Sequence, residues 1–592
     1  MSSTDLPASS ESNIGSPQSG QTLWQRLAAG RNEKFFLSIL IALVLGVLVL
    51  PPLLFLVTGA VTIDLPGGVR EFTLQRFVTI VNQKGFLASV GNSFGFAIGS
   101  AVLALSLGGL IAWLVERTNT PLKPLAYFTT ILSLGTPYVL YTSAWLLLLQ
   151  RSGPINTYYK QWTGDTEILI NVYGLSGMIL IEGLLWSPLV FLLLGATLRN
   201  FNPELEEAAK MSGAGTWSIL RRITLRLSLP SILALAMLVF IRSLESFEVP
   251  ALVGLPGRVH VLTTDIYDLM HRTMPPDLGS ASSLSVLLLI LVSVLLYYYG
   301  KLTRNAEKFA TITGKSFRPN LFDLGPWRNL AGFIVAFYFF LIIILPMLVL
   351  IWASLLPFYQ TFRLAALPLV STVNYKRVLS ATRYISLLGN TFIIAVVTAS
   401  AVMLIASLTA WLTVRKAPMA KWLDQMATMP LVFPGIVLGV GVMQFFLNLP
   451  VGIYGTIWII AWAFTINYMP YGVRYSFAGM LQVHRELEEA AAISGAEPVT
   501  GFRRIVLPLL APSLIAGWLF IFLLSTRVLS LPVLLSGPSS QTMAVAMFDL
   551  WGNGQGPELA ALGLLWSLFM TMIALAFYLF AKRSGAGIYG QG

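Results

Sequence analysis

Long apolar runs separated by short polar stretches fill almost the whole chain after residue 35. A helix needs about 18 or more mostly apolar residues to cross the ~30 Å hydrocarbon core of a bilayer. Such windows recur at 36–60, 89–115, 125–149, 168–197, 229–252, 282–300, 330–354, 388–413, 424–448, 454–478, 511–535 and 559–581. They predict an all-α membrane protein with about 12 transmembrane helices, since a helix pairs its own backbone groups inside lipid. Composition agrees: 56% of the 592 residues are hydrophobic and only 11% are charged, a surface no soluble domain could expose. Residues 1–34 are rich in Ser, Gly, Gln and Asn without the apolar core of a signal peptide, and read as a disordered polar cytoplasmic tail.

Basic residues collect in short cytoplasmic loops. Arg26, Arg31 and Lys34 precede the first span, Arg117 and Lys123 follow the second, and Arg221, Arg222 and Arg226 follow the fourth. Lys301, Arg304, Lys308, Lys315 and Arg318 follow the sixth, and Lys582 and Arg583 the twelfth. With twelve spans these loops fall on one side and both termini are cytoplasmic, although Arg70, Arg151, Arg258 and Arg272 fall on the other. The net charge of +12 therefore requires no nucleic acid. Without cysteine there is no thiolate nucleophile or thiolate metal site.

The chain repeats itself. Residues 204–231 and 486–513, offset by 282, share 16 identities in 28 ungapped positions. The same offset relates Pro188 to Pro470 and Pro250 to Pro532, while an offset of 298 relates Ala112, Trp113 and Leu114 to Ala410, Trp411 and Leu412. The first copy thus holds 16 extra residues, placed most simply in the outer loop 151–166. An even number of spans per repeat predicts two tandem six-helix halves, 35–300 and 329–583, related by a pseudo-two-fold axis along the membrane normal. Residues 301–328 form the cytoplasmic linker and 584–592 a C-terminal tail.

At the centre of the repeat stand "ELEEAAKMSGAG" at 204–215 and "ELEEAAAISGAE" at 486–497. The first reads as a short helix with Asn202 as cap, Pro203 at the first position, Glu204, Glu206 and Glu207 at its positive end and Gly213 at its stop. Leu205, Ala208, Ala209 and Ser212 form a small-residue face. An interfacial anchor would need a larger apolar face. Two equivalent copies suit a two-fold partner.

The pattern Glu-Ala-Ala, three residues, Gly, nine residues, Ile-x-Leu-Pro resembles the signature of permease subunits of binding-protein-dependent ABC importers. Glu489, Ala490, Ala491, Gly495, Ile505, Leu507 and Pro508 fit it fully; Glu207, Ala208, Ala209, Gly213, Ile223 and Leu225 fit with Arg226 in place of proline. A fused pair of halves resembles the iron(III)-type branch of these type I importers. The resemblance implies that Glu207, Ala208, Ala209, Gly213, Glu489, Ala490, Ala491 and Gly495 couple the chain to two copies of a cytoplasmic ATPase. ATP and magnesium then sit on that partner, this chain binds no cofactor and is not an enzyme, and a periplasmic solute-binding protein docks outside. It also implies a bacterial inner-membrane location.

No hydrolytic motif competes with this. "FATITGKS" at 309–316 keeps only the end of a phosphate loop, and His260, His271 and His484 lack metal-ligand spacing. Charges inside spans are costly and mark partners or aqueous paths. Arg242, Glu245 and Glu248 share a face in span five, and span eleven has Arg527 and Ser530 at the places of Glu245 and Glu248. Since the resemblance implies that these spans flank the translocation path, Glu245 and Arg527 are expected either to pair across it in a closed state or to leave Glu245 neutralised by Arg242 in its own helix. Glu182, Asn467 and Arg474 are further path candidates. The cargo expectation is iron(III), otherwise a small anion. An ion-coupled secondary transporter with twelve spans, or a membrane scaffold or channel, would leave the repeated helix without a role.

Overall fold

In the computed structural model the described residues are 23–64, 70–199, 204–307 and 321–583. Nine of their helices are long and apolar enough to cross a membrane, from Glu33–Val61 to Gly556–Ile573, and two more spans are bent pairs. Spans three (Lys123–Ser133 with Tyr138–Thr163) and nine (Ala420–Val432 with Gly435–Leu447) bend by 111° and 110°, each just before a proline-led turn at Pro137 or Pro434. The remaining expected span, Ile457–Met480, carries Asn467 and Arg474 and is the least apolar, yet it is largely buried among the others. Each of the twelve apolar runs thus has a helix.

Packing pairs the halves by exchange. Span one (Glu33–Val61) packs against spans six (Leu278–Thr303) and nine, whereas span seven (Gly325–Ser354) packs against spans twelve and three. Interchanging the halves maps one set of contacts onto the other, as a pseudo-two-fold requires. Spans five (Trp217–Glu245) and eleven (Pro498–Ser525) both begin with one turn of π-helix, Leu220–Thr224 and Phe502–Val506, at the same offset of 282. Lipid-facing positions such as Leu40, Leu54, Val102, Ile131 and Leu404 are apolar and exposed, so the bundle is hydrophobic outside as well as in.

Within each half, spans two and four, and spans eight and ten, are principal partners. Gly108 shows why: a Cβ there would stand 2.4 Å from the Ser187 carbonyl oxygen of span four, so only glycine permits that backbone approach. The 16 extra outer residues include a helix, Pro154–Thr163, stapled by the buried Asn156. Its amide donates to the carbonyls of Leu149 and Ile170, both at 2.9 Å, and accepts from the Ile170 N–H at 3.0 Å.

Two boundaries differ from expectation. Residues 23–34, read as tail, lie in a helix running Leu23–Val61, because Leu23, Gln25, Arg26, Leu27 and Ala28 are good helix formers. The sixth helix continues to Glu307, past the expected end at 300. Residues 1–22, 308–320, which include the whole phosphate-loop-like stretch, and the tail 584–592 lie outside the described residues.

Gly108→Val should lower the melting temperature of the detergent-extracted protein, through an overpacking cost of about 1–3 kcal/mol. Gly91→Val, in the same helix with nothing within 4 Å of the added Cβ, should leave it unchanged in the same thermal assay.

Candidate coupling site and path

The repeated segments fold as two short helices, Glu204–Met211 and Glu486–Ile493. Both end in the same way. Gly213 and Gly495 take left-handed backbones, φ +83° and +87°. The next N–H reaches back across the turn, Ala214 to the Ala209 carbonyl at 3.0 Å and Ala496 to that of Ala491 at 2.9 Å. A side chain would be strained there, which accounts for the glycine of the pattern. Asn202 and Pro203, expected to start the first copy, lie outside the described residues.

Glu207, Ala208, Glu489 and Ala490 are exposed, whereas Ala209 and Ala491 are half-buried. Glu489 accepts from the Arg485 guanidinium at 2.8 Å on the helix surface. Each helix also ends on a bare apolar side chain, Met211 (89% exposed) or Ile493 (77%), at positions equivalent by the 282 offset. The two helices therefore present matched faces of carboxylate, small residues and one large apolar group.

What fixes these helices to the membrane core was not picked out in the sequence reading. Glu206 and Glu488, the middle glutamates, turn inward. Glu206 meets the fully buried Arg117 and accepts from the Thr224 hydroxyl at 2.6 Å. Glu488 accepts from Arg415 Nε at 2.6 Å and from the Trp411 indole at 2.9 Å, and Arg415 also donates to the Val483 carbonyl at 2.9 Å. Arg117 and Arg415 end spans two and eight, and the 298 offset relates them. That offset, read together with the 282 offset of the glutamates, was the available signal. Arg117 was read only as a marker of membrane orientation.

Each anchor is also touched by the lead-in to the opposite half. Lys34 of the first span lies 5.2 Å over the Trp411 ring. At the other anchor, Phe322 donates its N–H to the Arg117 carbonyl at 2.9 Å and accepts from Asn119 N–H at 3.1 Å. Asp323 accepts from the Gly325 N–H at 3.0 Å and the Asn119 amide at 2.6 Å. These bonds, the backbone one foremost, hold its carboxyl below the usual range.

The path candidates meet in the interior. Arg242 donates to Glu245 at 2.9 Å along its own helix and to the Tyr471 hydroxyl of the other half at 3.1 Å. Arg527 lies over the Tyr138 ring at 4.2 Å, so in this state Glu245 has the intrahelical partner. Glu182 accepts from the Trp186 indole at 2.9 Å and from the Ser246 hydroxyl at 3.2 Å. Glu248 and Ser530 are both buried. Asn467 is half-buried and Arg474 exposed. Pro188 and Pro470 sit inside spans four and ten, whereas Pro250 and Pro532 open short segments after spans five and eleven have ended.

Residues 104–303 match the family described as "Binding-protein-dependent transport system inner membrane component". That match covers about a third of the chain, and the duplicated loop helix and multi-pass two-half bundle agree with it. Over 580 residues the chain is 26% identical to the ferric transport system permease protein of Actinobacillus pleuropneumoniae, covering 93% of this chain and 79% of that one. It is 25% identical over 509 residues to a putative ferric transport system permease protein of Haemophilus influenzae, covering 83% and 76%. The molybdenum transport system permease protein of Haemophilus influenzae is 29% identical over 212 residues, 36% of this chain and 91% of its own length.

A double-mutant cycle on thermal stability with Arg117→Met and Glu206→Leu should give a coupling of at least about 1.5 kcal/mol, since removing either partner alone strands a buried charge. The Arg485–Glu489 pair, with side chains 75% and 55% exposed, should give less than about 1 kcal/mol in the same assay.

Proposed function

We propose that this chain is the complete membrane core of an ATP-driven importer that carries a small solute from periplasm to cytoplasm. The carrying observation is the repeated loop helix: two copies with the same left-handed glycine stop, the same inward glutamate and the same exposed face. Two identical sockets call for two copies of one ATPase, which supplies the ATP and magnesium chemistry. Glu207, Ala208, Ala209 and Gly213, with Glu489, Ala490, Ala491 and Gly495, form the docking faces, and both termini lie on that cytoplasmic side. A solute-binding protein docks on the opposite face. The printed functions of the two near-full-length relatives favour iron(III) as cargo, with a small anion as the alternative. Glu245 and Arg527 would approach one another when the path changes state, with a partner shifting that equilibrium only as far as it prefers one state.

Native mass spectrometry of the gently extracted chain should find two ATPase copies per chain. Glu207→Arg combined with Glu489→Arg should abolish that association and reduce iron(III) uptake by about tenfold or more, because like or misplaced charge at a docking surface costs over 1.4 kcal/mol. Uptake that persists after ATP depletion would instead establish an ion-coupled carrier.

A further inference from the structure

Spans five and eleven both stop inside the protein, at Glu245 and Ser525. The chain then breaks from helix before short segments that start at Pro250 and Pro532. Glu248 stands just past the first of these breaks, which is Ser246 and Phe247, and the 282 offset makes Ser530, within the second break, its counterpart. The Glu248 carboxylate crosses between the halves: one oxygen, Oε1, accepts the backbone N–H of Leu529 at 3.0 Å and that of Ser530 at 3.3 Å. A residue within bonding distance of its own symmetry counterpart lies at the pseudo-two-fold axis. All three residues are closed off from solvent, with Glu248 7%, Ser530 8% and Leu529 0% exposed.

We propose that Glu248 is the latch that closes the solute path at this axis, an inference that rests on the path running between the two halves. A carboxylate accepting two backbone N–H groups makes stronger bonds than a neutral acceptor. Both end on the same oxygen, so the halves cannot part at the axis without losing both together. The latch is single. Serine at 530 is too short to return the bond to the first half, and its hydroxyl points at Gly435, where a Cβ would stand 2.4 Å away. When the halves separate, the freed carboxylate becomes a fixed negative charge on the path wall. Glu248 is thus a positioning residue in the closed state.

The chain has no cysteine, so an introduced one is a unique reporter. Leu529→Cys changes a buried side chain and keeps the backbone N–H that Glu248 holds. In the assembled complex, labelling of Leu529→Cys by a membrane-impermeant maleimide should be slow. Adding Glu248→Ala should speed it by about tenfold or more, the population change expected from losing a hydrogen bond to a charged acceptor. Adding Glu248→Gln, which keeps a carbonyl oxygen in place, should restore most of the protection. Equal labelling of the Ala variant and its parent would overturn the latch, as would loss of uptake in both Ala and Gln variants with protection unchanged, which would make Glu248 a solute ligand.

Should the Ala variant fail to assemble, Glu248→Cys with Ser530→Cys supplies a second reading. Oxidation should link the halves and lower uptake below that of the same variant kept reduced; a link that leaves uptake at the reduced level would overturn the proposal. Extraction without ATPases would refute the importer reading alone, since labelling still judges the latch.

Discussion

Hydrocarbon offers a backbone no hydrogen-bond partner, and the whole architecture follows from that constraint. It selects helices wherever the chain meets lipid, and it confines every interruption to the protein interior. The bends at Pro137 and Pro434, and the breaks after Glu245 and Ser525, lie among other helices. Where the helical ladder lapses, side chains take over. Asn156 serves the carbonyls of Leu149 and Ile170, Asn374 those of Ser354 and Leu356, and Glu248 the N–H groups of Leu529 and Ser530. Each of these side chains serves backbone groups at a joint of the bundle.

The fold was legible because apolar run length and the two offsets are properties of the linear chain. Each apolar run could be read as a helix or bent pair, although the ends could not. Span five was drawn to 252 and stops at Glu245, since Phe247, Pro250 and Leu252 are as apolar in a re-entrant segment as in a helix. The loop helices were legible by repetition, and the reading chose their outward glutamates. The inward pair, Glu206 and Glu488, depended on Arg117 and Arg415, some 70 to 90 residues away. That contact exists only once spans two and eight have placed their last residues beside the loop. The intrahelical Arg242–Glu245 pair was visible from spacing; the bond from Arg242 to Tyr471, across halves, was not.

Departures from two-fold symmetry fall into two kinds. At the loop helices the halves keep the same solution with different neighbours, Thr224 at one anchor and Trp411 at the other. In the interior the charges themselves differ: Glu245 stands where the second half has Arg527, and Glu248 where it has Ser530. Unequal residues spare the interior a repulsion, because a perfectly symmetric lining would set its own like charges against each other at the axis.

The exchange of first spans bears on how the chain is made. Span one finds its partner in span nine, some 400 residues later in the sequence. During synthesis it must wait in the bilayer, its future contact face covered by lipid, until most of the second half has been inserted. Carrying both halves in one polypeptide keeps span nine at a high local concentration near that waiting helix, so the covalent joint serves assembly.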